Sequence, residues 1–290
     1  MTVVEAPHEL GSARGEIWKS LRSSPLGLLG AGMLLVMALL ALLAPVIAPY
    51  SPTQTHFDAP FQQPLTVGFF LGTDDLGRDI LSRALHGTQV SLQVGFLSVA
   101  VAIIGGVPLG LLAGYVRWLD GLVSRLTDLL LAFPFLIIAV GLAAINGPSL
   151  GNVVIALGIA QIPTMIRVVR GETLRIKATD FVTGAVAMNA SSVRIMLRHI
   201  LPNCASAIIV QATVIMPVAI IGESLLSFLG IGIQPPSPSL GIMLSDAQQY
   251  IGRSPTAAIF PGVAIVILCL GFNLFGDALR DALDPSSSKK

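Results

Sequence analysis

The sequence predicts an all-α polytopic membrane protein with six transmembrane helices, and three observations carry that prediction. Of its 290 residues, 53% are apolar and only 11% are charged, against about 25% charged in an ordinary soluble domain. Mean hydropathy is +0.81. Its uncharged runs are long: 23 residues from Leu26 to Ala48, 38 from Leu129 to Ile166, and 23 from Ser254 to Gly276. A helix needs about 20 apolar residues to cross a hydrocarbon layer ~30 Å thick. A soluble α/β domain rich in Ala, Leu and Ile fails on that run length, since part of any globule must face water.

The elements follow in order. Residues 1–25 form a polar tail, with Arg14, Lys19 and Arg22 just before the first run. That run, 26–48, exceeds the 7–15 apolar residues of a cleavable signal, so it reads as an uncleaved first span. Residues 49–89 are mixed in character and read as an extracytoplasmic segment; 90–116 is the second span. A short charged turn, 117–128, leads to the third span, 129–146. Asn146-Gly147-Pro148-Ser149 breaks the 38-residue run, because Pro and Gly end helices; residues 147–150 are then an outer turn and 151–168 the fourth span. A charged segment, 169–203, precedes the fifth span, 204–230. Gln234-Pro235-Pro236-Ser237-Pro238 lies in an outer loop, 231–253; the last span is 254–276 and the tail 277–290.

Orientation follows from the basic residues. Six spans put both ends on one side, and that side collects 14 of the 17 Lys and Arg; only Arg78, Arg83 and Arg253 fall opposite. Both termini are therefore expected in the cytoplasm of a multi-pass cell-membrane protein. With a net charge of +1, nothing favours nucleic acid. Cys204 and Cys269 form no metal-binding or disulfide spacing, and no metal ligand set or catalytic residue is expected.

The most informative segment is Thr179 to Asn203. Asp180 is placed to cap a short helix on which Phe181, Ala185 and Met188, at i, i+4 and i+7, share one apolar face. Asn189 ends that helix, since Asn tolerates the left-handed conformation of a helix stop. Ser191 or Ser192 caps a second helix, expected to end at Pro202. An apolar face on the cytoplasmic side fits a groove in a partner or the membrane surface.

This segment resembles the EAA-type coupling loop of binding-protein-dependent ABC permeases, E-A-A-x-x-x-G with a later hydrophobic residue and L-P. Ala185 and His199-Ile200-Leu201-Pro202-Asn203 fit. Thr183 stands where the family has Glu, Gly184 where it has the first Ala, and Asn189 where it has Gly. Leu71-Gly72-Thr73-Asp74-Asp75-Leu76-Gly77-Arg78-Asp79, through Ser82-Arg83, is similar to the LGTDxLGRDxxSR signature of the second permease of dipeptide, oligopeptide and nickel importers. Residues 120–134, 223–232 and 276–285 are similar to other segments of that subfamily, so the resemblance runs in order from residue 15 to 285.

The resemblance implies a non-catalytic permease subunit that forms half of a translocation pathway. Its implied partners are a homologous second permease, two ABC ATPases that bind ATP and Mg, and an extracytoplasmic substrate-binding protein, all around a lipid bilayer. Phe181, Thr183, Gly184, Ala185, Met188, Asn189, His199 and Pro202 are the implied ATPase-coupling residues. Peptide is the favoured cargo; a dedicated nickel site would favour His or Cys ligands, and the spans offer two widely separated cysteines.

Other features have duller readings beside sharper ones. Gly106, Gly110 and Gly114 form a small-xxx-small ridge suited to close helix packing, in a helix that Pro108 should bend. Glu223 is the one formal charge placed inside a span; it marks a pathway or partner contact, or else a hydrogen bond to a neighbouring helix. Gly147-Pro148-Ser149-Leu150-Gly151 matches the elbow of serine hydrolases, but no span supplies a histidine base. No lysine follows a glycine, so the chain lacks a P-loop. A free-standing ion-coupled carrier would tend to carry several intramembrane acids or internal repeats, and neither is apparent.

Overall fold

A computed structural model describes residues 22–283. The described residues are helical apart from turns and two isolated β-bridges. The first helix, α1 (Pro25–Leu42), starts where Ser24 accepts a hydrogen bond from the Gly27 amide and Pro25 occupies the first turn. Proline suits that position because the amide it lacks would have no helical partner. A short α2 (Ala44–Ile47) follows. Then α3 (Ile80–Tyr115) runs for 36 residues, and Asp79 caps its start by accepting from the Ser82 amide. Next come α4 (Arg117–Ala132), α5 (Phe135–Asn146) and α6 (Leu150–Lys177). The short α7 (Asp180–Ala187) precedes α8 (Ser192–Phe228), which contains a π turn at Ile195–Ile200. Finally α9 (Leu240–Gln248) and α10 (Thr256–Leu283) complete the chain.

Five of these helices are long and apolar enough to cross a membrane, and the pair α4 and α5 makes a sixth if it is one span bent by 78°. Several expected boundaries shift. The second span begins at Ile80 rather than 90, because Asp79 supplies a cap that hydropathy does not register. Residues 117–128 are not a turn but most of the helix α4, whose Asp120 takes two hydrogen bonds from Arg170 of α6, at 2.5 and 2.9 Å. The third span, expected at 129–146, is broken at Phe133-Pro134, where proline disfavours helix in the residue before it. Helix α6 continues to Lys177, α8 starts at Ser192, the outer loop contains α9, and α10 extends through Leu283. Of the expected tails, 1–21 and 284–290 lie outside the described residues, with Arg14, Lys19, Lys289 and Lys290.

The bundle is centred on α3 and α6, the most extensive helix pair. A Cβ added to Gly106, Gly110 or Gly114 would lie 2.6, 2.7 or 2.5 Å from the Cβ of Met165, Val169 or Thr173 respectively. The ridge therefore packs inside the subunit. Reciprocally, a Cβ on Gly158 of α6 would lie 2.5 Å from that of Val101. Against this pair lean α8 and α10, sharing a core that includes Ile215, Ile220, Leu268 and Phe272. Helix α1 packs on α10, and a Cβ on its Gly30 would sit 2.9 Å from the Gly271 oxygen. Pro108, Pro163, Pro217 and Pro261 all lie within continuous helices.

Gly110→Val should cost at least the ~1–3 kcal/mol typical of overpacking, because α6 would have to move away as a whole. Gly171 has no heavy atom within 4 Å of such a Cβ, so Gly171→Ala should leave the midpoint unchanged or raise it, alanine being the better helix former. Thermal unfolding of the purified variants separates the two; equal midpoints would show that the seam is not close-packed.

Candidate functional site

The segment that the sequence singles out, Thr179 to Asn203, is built on α7 and the first turns of α8. Thr179, not Asp180, is the N-cap, and it makes no side-chain cap bond; Asp180 stands in the first turn, where a negative charge suits the helix dipole. Asn189 has φ of +58°, the left-handed stop expected of it. Ser191 caps α8 by accepting from the Arg194 amide at 3.4 Å. Pro202 does not end the second helix. The chain passes it through the π turn and continues to Phe228. A proline removes one hydrogen bond and crowds the carbonyl four residues back, and a wide turn just before it relaxes that crowding. The neighbouring His199 carbonyl accepts from the Asn203 amide side chain at 2.6 Å.

The expected face of Phe181, Ala185 and Met188 is divided. Val182 and Ala185, 1% and 3% exposed, belong to the core shared with Met165 and Val169. Phe181 and Met188 are 51% and 81% exposed. The buried stripe is centred between Val182 and Ala185, about 70° around the helix from Phe181 at 100° per residue. Periodicity alone placed Ala185 on the wrong side of that boundary. Thr183 and Gly184 are exposed; the Thr183 hydroxyl donates to the Thr179 carbonyl at 3.2 Å. Around the turn the exposed apolar side chains are Phe181, Val186, Met188, Val193 and Leu197.

Glu223 has no exposed surface, which removes it from any pathway or partner surface in this structure. Ser91 of α3 and Ser227 of its own helix donate to it at 2.9 Å each, and Ser224 at 3.4 Å. A buried carboxyl surrounded by hydroxyl donors is a helix-to-helix fastener. Ser149, in the G-x-S-x-G motif, caps α6 by accepting from the Asn152 amide, and Gly147 takes φ of +77°. The motif is a turn.

Sequence reasoning treated the LGTDDLGRD stretch only as a likeness, and its physical role emerges from the geometry. Asp74 accepts from Arg78 Nε at 2.6 Å and from Arg83 Nη1 at 2.8 Å. Its other oxygen accepts from the amides of Leu76 and Arg78. Both arginines also donate to Asp246 of α9, at 3.1 and 3.2 Å. Gly72 and Gly77 have φ of +85° and +71°, and a Cβ on Gly77 would strike the His56 backbone. Asp75 lies beside the knot with less compensation. Burial, and next the Asp74 carboxylate, push its carboxyl above the usual range, while Arg78 pulls it down. The spacing of acids and arginines was visible in sequence; their convergence on Asp246, 168 residues from Arg78, was not.

The comparisons with known proteins agree with this architecture. A family model described as "Binding-protein-dependent transport system inner membrane component" matches residues 106–289. A model for the "N-terminal TM domain of oligopeptide transport permease C" matches residues 12–64. The dipeptide transport system permease protein DppC of Alkalihalophilus pseudofirmus is 43% identical over 271 residues, covering 93% of this chain and 89% of that protein. The di/tripeptide permease DppC of Pseudomonas aeruginosa is 42% identical over 276 residues, covering 93% and 91%. The glutathione permease GsiD of Pectobacterium atrosepticum is 40% identical over 272 residues, covering 93% and 90%. A chain of the MetNI methionine ABC transporter, solved in inward-facing conformations, shares the fold with a TM-score of 0.59 at 22% identity, covering 70% of this chain and 96% of that one.

These findings define a multi-pass membrane permease subunit, a transport component rather than a catalyst. The chain belongs to the family of binding-protein-dependent transport system inner membrane components.

Asp74→Asn should destabilise the protein, because Arg78 and Arg83 would be left to share Asp246. Losing one partner of a buried ion pair costs roughly 3–5 kcal/mol, and the surviving contacts put this variant toward the lower end. Asp75→Asn should do the opposite. A carboxyl with a raised folded pKa binds protons more readily folded than unfolded, so its contribution to stability falls as pH rises through that window. Removing it should raise the midpoint at neutral pH and flatten the pH dependence just above the ordinary carboxylate range. Melting curves for the two variants over that range would refute this if they moved in the same direction.

Proposed function

We propose that this chain is one of two homologous permease subunits of an ATP-driven peptide importer. Together the two form the translocation pathway. Two cytosolic ABC ATPases, which hold ATP and Mg, dock on the coupling segment, and an extracytoplasmic binding protein delivers the cargo. The observation that carries this reading is the coupling segment itself: a short helix fastened to the subunit core by Val182 and Ala185, with Phe181, Val186 and Met188 left exposed. An apolar helix face at a loop between spans fits a partner groove. The chain has no P-loop, so the energy for transport comes from a partner. Cargo follows the relatives, which are named as permeases for dipeptides, for di- and tripeptides and for glutathione.

Docking then rests on Phe181 and Met188. Burying two such side chains at ~25 cal/mol per Å² contributes a few kcal/mol, whereas an exposed ion pair at position 183 would add about 0–1 kcal/mol. A threonine there is therefore tolerable. Met188→Asp and Phe181→Asp should each cut ATPase co-purification and dipeptide uptake at least about tenfold, the effect of ~1.4 kcal/mol, with membrane insertion intact. Thr183→Ala should be silent. Ala185→Asp would test packing rather than docking, since its side chain faces the subunit core. Normal ATPase recovery with both aspartate variants would remove the coupling segment from the docking site.

The same reading places both termini and α7 in the cytoplasm, in line with the distribution of basic residues. A membrane-impermeant thiol reagent applied to intact cells should label a cysteine at Gln63. A cysteine at Ser192 should react only after the membrane is opened; labelling of both from outside would reject this topology.

A further inference from the structure

The segment between α2 and α3 carries an apolar tip that none of the described residues covers. From Ala59 to Thr73 the chain runs 15 residues without a charge. Within it, Leu65 to Phe70 close a tight turn. The Leu65 amide donates to the Phe70 carbonyl at 3.0 Å, and the Phe69 amide to the Thr66 carbonyl at 2.8 Å. Leu65 takes φ of +64° and Gly68 +93°. A left-handed conformation is unusual for a residue as bulky as leucine. The turn directs Leu65, Val67 and Phe70 outward, 76%, 98% and 62% exposed. Phe69 alone turns inward, stacked on Tyr50 with ring centroids 5.3 Å apart.

The position of Tyr50 says what the tip meets. Helices α1 and α2 span 23 residues from Pro25 to Ile47, about 35 Å at 1.5 Å per residue, so Ile47 lies at the edge of a hydrocarbon layer ~30 Å thick. Tyr50 comes three residues later, at the depth where tyrosines gather in membrane proteins. The span itself is largely uncovered by the subunit, and its last turns expose Leu42, Val46 and Ile47. A Cβ on Gly68 would lie 3.2 Å from the Tyr50 hydroxyl, so the tip rests directly on that boundary. Its apolar surface continues the lipid-facing surface of the first span. No charge falls between Ala59 and Thr73, so nothing in the turn opposes burial among lipid chains.

We propose that the Leu65–Phe70 turn is an interfacial anchor, with Leu65, Val67 and Phe70 seated in the headgroup and upper acyl region of the leaflet beside the end of the first span. It would hold the segment 50–79, and with it the Asp74–Arg78–Arg83 knot, at a fixed height on the membrane.

The test uses the full chain in phosphatidylcholine and phosphatidylglycerol nanodiscs, with Cys204 and Cys269 replaced by alanine. A nitroxide is placed on a cysteine at Val67, at Val46 as the lipid reference, or at Asp58 as the exposed polar reference. Collisional relaxation by oxygen and by a water-soluble nickel chelate reports the environment. The Val67 label should resemble the one at Val46, with oxygen accessibility exceeding that of the nickel chelate. Nickel accessibility exceeding that of oxygen, as expected at Asp58, would overturn the proposal. So would a water-like Val67 label that becomes immobile only when an extracytoplasmic binding protein is added, since the tip would then be a protein-docking surface. The side chain at Val67 is almost wholly exposed, so this substitution leaves folding undisturbed.

Discussion

The bundle depends on how closely α3 can approach α6. Inside a membrane, two helices gain little by hiding apolar side chains from one another, because lipid tails are equally apolar. What favours association is dense contact between backbones, and that requires one surface to lack side chains. Gly106, Gly110 and Gly114, four residues apart, form one such surface, opposed by Met165, Val169 and Thr173 at the same spacing. Equal spacing sets the register: sliding either helix by one residue would drive a side chain into backbone. The remaining contacts repeat the device. A Cβ on Gly95 would lie 2.9 Å from the Met216 methyl, and one on Gly222 would lie 2.6 Å from Leu157, so α8 is seated on the same pair.

Close packing leaves polar groups little room for error, and the charges are disposed accordingly. At one end of the bundle, Asp74 and Asp246 share Arg78 and Arg83, joining the chain before α3 to the helix after α8. At the other end, Asp120 and Asp128 of α4 pair with Arg170 and Arg167 of α6. The second pairs are substantially exposed and worth little each; they orient α4 more than they stabilise it. The knot is buried, where losing one partner is costly. Between the ends, the buried carboxyl of Glu223 is met by serine hydroxyls, which satisfy it without adding a further buried charge.

Much of this was legible in the sequence, and the rest was hidden for definable reasons. Spans were readable because crossing lipid demands long uncharged runs. The Asn189 stop and the Gly106–Gly114 ridge were readable because each rests on a single residue type with a single conformational or steric property. Helix ends were misplaced wherever a polar residue extended a helix: Asp79 begins α3 ten residues before hydropathy does. Helix α4 read as a turn because its charges were weighed and its periodicity was not. Pro202 read as a stop because the π turn that accommodates it has no composition of its own. The face of α7 was misassigned because Phe181, Val182 and Ala185 are all apolar; only the position of the core decides which of them is inside. The knot needed Asp246, brought in from a distant part of the chain, and no local pattern announces such a partner.

The division of α7 bears on how a subunit of this kind could transmit force. A helix lying loosely on the bundle could bind a partner and move alone. Here Val182 and Ala185 enter the same core as Ile195 and Ile200 of α8 and Met165 and Val169 of α6. Thr179 is tied to the end of α6 through the Ile176 carbonyl at 2.6 Å. The segment is thus continuous with α6 on one side and, beyond the Asn189 turn, with the 37 residues of α8 on the other. Packed cores respond to displacement by moving as units, since deforming them forfeits contact energy. A push on the exposed face of α7 would therefore be carried into α6 and α8 together. Helix α8 reaches Glu223, and through it Ser91 of α3, near the opposite end of the bundle. The π turn and Pro217 are irregular steps within α8 along that path, and the wider hydrogen-bonded ring of the first makes it a place where the helix can bend.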